Sequence, residues 1–396
     1  MTSLPLKHLF ELPEGVIYLD GNSLGPLPKD VVATLDTVVT EEWGKSLIRG
    51  WNEHGWMEQP ARIGDRIARL IGAPEGSVVL GDTLSIKVYQ ALAAAIRMRP
   101  ERRVILSDTG NFPTDLYMAQ GLIGTLDRGL GLRTVAPEEV TGAIDETVAA
   151  VMLTEVDYRT GRMHDMKSVT KAAHDSGAVM IWDLAHSAGA VPVDMAGSGA
   201  EFAVGCTYKF LNGGPGAPAF IHVRPDLIED LEPALSGWLG HDAPFAFEPG
   251  YRPAMSIERM RVGTPPVIQM GALETALEVF EQVTMAEIRA ASIELSELFI
   301  AEVERRCPVL RLASPRDPAV RGSQVSFAFA EGYAAMQALI AHGVIGDFRA
   351  PDIMRFGITP LYLDRDDILK AVEVLERVVT DELWRAPEFQ VRSRVT

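Results

Sequence analysis

The stretch FAVGCTYKFLNGGPGAPAF, Phe202 to Phe220, is a short apolar β-prone run that leads to a single lysine, Lys209, and then to a turn too rich in Gly and Pro for helix or regular strand. The run predicts a buried strand that Lys209 closes. A lysine at such an edge loses solvent, which lowers its pKa and frees the amine as a nucleophile of the Schiff-base type. A lysine that merely closes a strand has the same local sequence, so the neighbouring segments decide between the two.

Upstream, AVMIWDLAHSAGAVPVD starts with an apolar run, Ala178 to Trp182, which places Asp183 at the end of a second predicted buried strand and His186 three residues later. An aspartate in that position needs a cation facing it. A pyridinium nitrogen is one, and an Asp on that nitrogen together with a Schiff-base lysine is how a protein holds pyridoxal phosphate.

From residue 77 the pattern repeats as strand, turn, helix, which predicts an α/β fold with a mostly parallel sheet covered by helices. Strands are expected at Ser77–Leu80, Arg103–Ser107 and Ala149–Leu153, and helices at Ile86–Met98 and Asp165–Asp175. The turn Gly81-Asp82-Thr83-Leu84-Ser85 offers free backbone N–H groups at a helix start, suited to a phosphate, although Thr83 or Ser85 as a simple N-cap has the same pattern. In DTGNFPTDLYMAQGL, Pro113 and Thr114 open a helix with Asp115 in its first turn, and Phe112 just before it is either a flat face for a planar ring or a staple for the helix. Ser85, Asp115, Thr154, Asp183 and Lys209 all fall just beyond predicted strands, the edge of an open α/β sheet where ligands bind.

The flanks complete the plan. Residues 1–28 read as an arm, Pro28 to about Ile48 as a helix, RGWNEHGWMEQP with His54 as a loop, and Arg62–Ile71 as a second helix. Gly21-Asn22-Ser23-Leu24-Gly25 matches the nucleophile-elbow pattern of serine hydrolases, but Pro26 and Pro28 forbid the helix that an elbow needs at its serine, so the segment reads as a turn. A helix over about Val267–Val283 leads out of a large domain, and one over about Met285–Arg306 opens a smaller α+β domain with strands at Val309–Leu312 and Ser323–Ala328 and a helix at Tyr333–His342. The expected division is an arm and helix at 1–50 packing with the small domain, a large domain at 51–283 and a small domain at 284–396. Near the end, GVIGDFRAPDIMRFGITPLY carries Arg349 and Arg355. Arg355, inside an apolar run, is suited to a bidentate grip on a carboxylate or to an internal Asp.

Composition narrows the function further. With 47% hydrophobic residues the chain has ample material for cores. A formal charge of −17 and no basic patch argue against nucleic acid or anionic membrane as partners, so anionic substrates must meet local cations. Cys206 and Cys307 suggest no disulfide framework and no metal site. No apolar run approaches a membrane span and no export signal opens the chain, so a cytoplasmic location is expected.

Taken together, YLDGNSLGPLP, NFPTDLYMAQGL, YRTGRMHDMKSVTKAAHDSGAVMIWDLAHSAGAVPVD, GCTYKFLNGGPG, SGWLGH and GVIGDFRAPDIMRFGITPLY resemble the kynureninases, fold-type-I pyridoxal-phosphate enzymes, along nearly the whole chain. The resemblance implies a transferase-like large domain and hydrolytic Cβ–Cγ cleavage of L-kynurenine to anthranilate and L-alanine in tryptophan degradation. It implies that Lys209 carries the cofactor as a Schiff base, that Asp183 with Asp115 supports its nitrogen, and that Phe112 stacks on its ring. Leu84, through its backbone, Ser85 and Tyr208 would hold the phosphate, with Trp238 and Thr264 supplied by the partner subunit of a homodimer. Thr154 and His186 match further cofactor positions, Arg355 matches the arginine for the substrate's α-carboxylate, and Tyr208 is the expected acid-base. Two departures stand out. Leu84 replaces a threonine common in bacterial relatives, and Thr264 replaces the asparagine of animal ones, which favours L-kynurenine over 3-hydroxykynurenine. Desulfuration or transamination on the same scaffold is the alternative, and neither cysteine suits a desulfurase. A serine hydrolase, or a module that binds the cofactor without turnover, is the more distant one.

Overall fold

The computed structural model describes residues 4–391. Helices α1 (Asp30–Thr37) and α2 (Gln59–Leu70) lead into a seven-stranded sheet made of β1 (Val78–Leu80), β2 (Val104–Asp108), β3 (Gly131–Val135), β4 (Val148–Thr154), β5 (Val179–Asp183), β6 (Phe202–Gly205) and β7 (Phe220–Val223). Its order is β1-β7-β6-β5-β4-β2-β3, parallel throughout except for β7, which runs against both β6 and β1. Helices α3 (Leu84–Met98), α4 (Pro113–Leu126) and α5 (Met166–Asp175) are the crossovers.

Strand alternation explains which end residues meet. In β5, Val179 and Ile181 pack with β4's Ala150 and Met152 beneath α3, whereas Met180 and Trp182 join the core on the opposite face. Period-two geometry therefore sends Asp183 and its register partner Thr154 to the face that α3 and α4 cover. The extended Phe112 and Pro113 at the first helical turn start α4 there, with Asp115 in that turn.

Beyond the sheet, α6 (Val267–Ala276) ends in a 3₁₀ turn and is followed by α7 (Met285–Arg306), opened by a capping box between Thr284 and Glu287. A four-stranded antiparallel sheet of β8 (Arg311–Leu312), β9 (Gln324–Ala328), β10 (Asp347–Arg349) and β11 (Ile353–Gly357), in the order β8-β9-β11-β10, packs with α7, α8 (Gly332–Ala341) and α9 (Arg365–Thr380). The arm lies across this part: Ile17–Tyr18 pairs in parallel with Val344–Ile345. Helix α1, by contrast, rests on α6, where the Thr34 and Thr275 hydroxyls are 2.8 Å apart.

Several sequence expectations need correction. The helix expected to run to Ile48 is α-helical only to Thr37 and widens into a π turn over Val38–Trp43, where Val38, Val39 and Thr40 crowd a regular turn. The RGWNEHGWMEQP loop contains one helical turn, Gly50–Glu53, and its tryptophans pack edge to face on each other. Most consequential, the strand expected to end at Lys209 ends at Gly205. There β7 turns back, with Phe220 opposite Gly205, so pairing stops and Cys206 to Lys209 leave the sheet.

The turn after Leu19 is a close joint between the arm, the Lys209 loop and β11. Gly25 N donates to Tyr208 O at 2.8 Å, and Gly357 N to Leu19 O at 2.7 Å, so Asp20–Gly25 is clasped between the Lys209 loop and β11. A Cβ on Gly25 would lie 2.4 Å from Lys209 O and from Asn212 Oδ1. Gly25→Ala is therefore expected to lower stability by about 1–3 kcal/mol, read as a lower urea midpoint at unchanged m. Gly121→Ala, in α4 with open space around it, is expected to raise the midpoint slightly.

Candidate active site

The site begins with Asp183, the last residue of β5, whose carboxylate accepts the Ala185 N–H at 2.8 Å. Asp115 faces it from the first turn of α4, and both side chains are out of solvent. Burial raises both acids above the ordinary carboxyl range. The neighbouring Asp183 charge raises Asp115 further, while the Lys209 charge opposes the rise at Asp183. Two buried carboxyls this close retain a proton between them. Asp115 Oδ2 has no hydrogen-bond partner. A cationic N–H is the donor such a pair lacks.

Asn111, which sequence reasoning did not single out, fixes the turn that delivers Phe112 and Asp115. Its Oδ1 accepts from Phe112 N at 2.7 Å and from the Thr154 hydroxyl at 2.5 Å, and its amide donates to Ser107 Oγ at 2.9 Å. Thr154 Oγ also lies 3.4 Å from Asp183 Oδ2, so the ends of β4 and β5 and the start of α4 form one hydrogen-bonded unit. The signal was present as an Asn before Phe-Pro, but its partners lie on two other strands and cannot be read locally.

Lys209 enters from the loop after β6, half-buried, with Nζ 2.9 Å from His186 Nε2. Burial, and then the Lys209 charge, hold the His186 pKa well below its usual value, so the ring is neutral and Nε2 accepts from the ammonium. His186 Nδ1 is left buried without a partner. The rings of Phe112 and Tyr208 stand 5.9 and 5.8 Å from Nζ. Phe112 is 39% exposed, and Tyr158 meets it edge-on at 5.2 Å. Burial, and then Cys206, raise the Tyr208 pKa, so its phenol keeps its proton at neutral pH.

At the head of α3, Thr83 is extended and makes no side-chain cap, leaving the first N–H groups, those of Leu84 and Ser85 among them, without a capping side chain. The simple N-cap reading is therefore not realised, and the helix start is left open. Beneath it lies an unanticipated cation, Lys87. Fully buried, it has Nζ 3.0 Å from Gln90 Oε1, 3.0 Å from Met260 O and 3.4 Å from Asp82 Oδ2, and burial lowers its pKa to about 8 against the opposing Asp82 charge. The contact ties this turn to the segment that runs on to Thr264.

Trp238 and Thr264 are not brought to this cluster within the chain. Both are on the surface, and Trp238 packs with Phe245 and Phe247 in an exposed aromatic group. Arg355 is buried on β11 and already engaged: Nε donates to Asp347 Oδ1 at 2.6 Å, Nη2 pairs with Asp347 Oδ2 and with Ser23 Oγ at 3.0 Å, and Nη1 donates to Tyr158 O. Asp347 is its register partner on β10, a pairing invisible without the sheet. Ser23 donates to Asp347 Oδ2 at 2.6 Å, and no helix starts at it, so the elbow-like motif is a turn whose hydroxyl serves the ion pair. Cys206 and Cys307 are free and buried. Among the described residues no group of three His, Cys, Asp or Glu is placed for a metal, and no helix is long and apolar enough to cross a membrane.

Comparison with known proteins follows the same lines. A family model described as the kynureninase C-terminal domain matches residues 288–375. Kynureninases from Pseudomonas fluorescens and Burkholderia pseudomallei are each 52% identical over 399 residues, spanning 99% of this chain and 96% of theirs. Among solved structures, a cysteine desulfurase from Thermococcus onnurineus superposes with a TM-score of 0.80 at 20% identity, over 96% of this chain and 99% of its own. One from Escherichia coli does so with 0.80 at 19% identity, over 97% and 99%. These enzymes share the fold-type-I architecture. With half its residues in common with curated enzymes from end to end, and the same family's C-terminal domain in place, the chain belongs to the kynureninase family.

Proposed function

We propose that this chain hydrolyses L-kynurenine to anthranilate and L-alanine, using pyridoxal phosphate carried on Lys209. The observation that carries the reading is the buried Asp115–Asp183 pair, short of a cationic donor, beside the Lys209–His186 contact in a chain of this family. The residues fit the group: a carboxyl pair for a pyridine N–H, Phe112 and His186 beside Lys209 for its ring, and the open start of α3 at Leu84 and Ser85, with Tyr208, for its phosphate. Thr154 holds Asp183 in place.

When bound, pyridoxal phosphate supplies the sink for the electron pair left as Cα loses its proton. The protein's share is proton handling. Lys209, as a free amine, would take the Cα proton, and neutral His186, which accepts a hydrogen bond from Nζ, would aim it. Asp183 keeps the pyridine nitrogen protonated. Tyr208, its phenol still protonated, donates at the γ-carbonyl oxygen as water adds to Cγ. Breaking Cβ–Cγ would release anthranilate, and a proton delivered to Cβ together with return of a proton from Lys209 to Cα would complete L-alanine. Arg355 orients the α-carboxylate. The desulfurase alternative needs an accessible thiol, and Cys206 and Cys307 are both buried.

The proposal extends to assembly and place. The exposed Trp238, Phe245 and Phe247 suit a subunit interface in a homodimer, through which Trp238 and Thr264 reach the partner's phosphate site. Reduced, buried cysteines and a charge of −17 suit the cytoplasm. Residues 51–283 serve as the cofactor domain, with 284–396 and the arm as the small domain over it.

Three outcomes are expected. Reconstituted protein mixed with L-kynurenine releases fluorescent anthranilate, faster than it acts on 3-hydroxykynurenine, and Lys209→Ala abolishes release. Tyr208→Phe lowers kcat by about 10²–10⁴-fold with the cofactor still bound, whereas unchanged turnover removes Tyr208 as the acid. Lys209→Ala and Trp238→Ala chains, each impaired alone, regain about a quarter of wild-type activity when co-expressed, since half of the dimers are mixed and each mixed dimer has one intact site. No recovery contradicts the shared site.

A further inference from the structure

The grip on Arg355 poses a charge problem. A guanidinium already neutralised by a buried carboxylate has no net attraction for a second one. Around it lie Arg349, with Nη2 2.9 Å from Asp347 Oδ2, and Asp20, at the head of the turn that carries Ser23. Asp20 Oδ1 is buried and has no hydrogen-bond partner. The groups facing Asp20 come from every element packed on it: Tyr18 from the arm strand, Ser23 from its own turn, Asp347 and Arg349 from β10, Arg355 from β11, and Tyr362 from the segment that follows. The Tyr362 hydroxyl is buried without a partner. This cluster adjoins the candidate pocket: Arg355 Nη1 donates to the carbonyl of Tyr158, whose ring meets Phe112 at 5.2 Å.

Counting charges gives the result. Arg349, Arg355 and Asp347 sum to +1 when Asp20 is neutral and leave the cluster with none when it is ionised. We propose that Asp20 is held in this cluster as a neutral acid, and that its proton preserves the single positive charge with which Arg355 takes the α-carboxylate of substrate. The inference rests on the reading of Arg355 given above. Burial, and then the Asp347 charge, raise the Asp20 pKa to about 7, which places the change of charge in the neutral range. The sign follows: below that pH Asp20 is uncharged and the carboxylate is held, and above it Asp20 carries −1 and the hold weakens. By linkage, a bound carboxylate strengthens the hold of Asp20 on its proton. Asp20 is thus a positioning residue for charge, acting through Arg355, and it gives the DGNSLG segment a role that its resemblance to a hydrolase motif conceals.

The test titrates holoenzyme with L-alanine, and with L-alaninamide as the carboxylate-free control, following cofactor absorbance from pH 6 to 8.5 in wild type and Asp20→Asn. The asparagine keeps the neutral form at every pH, and comparison at each pH cancels titration of the ligand amine. Wild type and variant are expected to bind L-alanine equally at pH 6, with the variant about tenfold tighter at pH 8.5, and to bind L-alaninamide alike throughout. A wild-type-to-variant ratio independent of pH, or weaker binding by the variant at every pH, overturns the proposal. Asp20→Ser provides a second neutral side chain if the asparagine variant does not fold. The underlying reading fails separately, if Arg355→Gln loses affinity for L-alanine and L-alaninamide equally.

Discussion

Two carboxyl groups out of water at neighbouring chain ends are the constraint on which the rest of this structure turns. An isolated buried carboxylate is costly enough that proteins neutralise or pair it. Here Asp183 ends a central strand and Asp115 opens a helix against it, with Asn111 and Thr154 holding both backbones in place. The Lys209 charge offsets only part of the cost, and Asp115 Oδ2 is left without a hydrogen-bond donor among the described residues. In the proposed reading, a ligand with a protonated ring nitrogen completes the electrostatics of this pair, with Lys209 at its edge.

Lys209, the proposed catalytic lysine, is positioned from the opposite side. Because pairing in the sheet stops at Gly205, the loop with Lys209 has no ladder to hold it, and the arm takes over: Gly25 binds the carbonyl of Tyr208, while Leu19 accepts from Gly357 on the small-domain sheet. One turn, Asp20–Gly25, thereby touches both the lysine loop and the arginine cluster. The glycines at 25 and 357 are required by these contacts, since a Cβ at either would meet Asn212 or Asn22 well inside van der Waals distance.

The sequence revealed what depends on strand order and strand ends. Asp183 and Thr154 were legible because an apolar run places its last residue at the sheet edge, and Asp115 because Phe-Pro-Thr announces a helix start. Lys209 stood out as the candidate amine but not as a loop residue, since the end of its strand is set by β7 folding back, eleven residues beyond Lys209. Asp347, Ser23 and Tyr158 around Arg355 were out of reach for a related reason: Asp347 meets it only through antiparallel register on the next strand, and Ser23 and Tyr158 come from segments far away in sequence. Lys87 carries no local signal in its helix, and the packing of the Ile257–Met260 turn over it reveals a buried cation.

The central claim is that Asp183, backed by Asp115, holds a proton on the ring nitrogen of the cofactor. Reconstitution with pyridoxal phosphate labelled with ¹⁵N in the ring, followed by measurement of the ¹⁵N chemical shift, tests this directly. The account predicts the shift of a protonated pyridine nitrogen in wild type and its loss in Asp183→Ala. A wild-type shift characteristic of the unprotonated ring would contradict it.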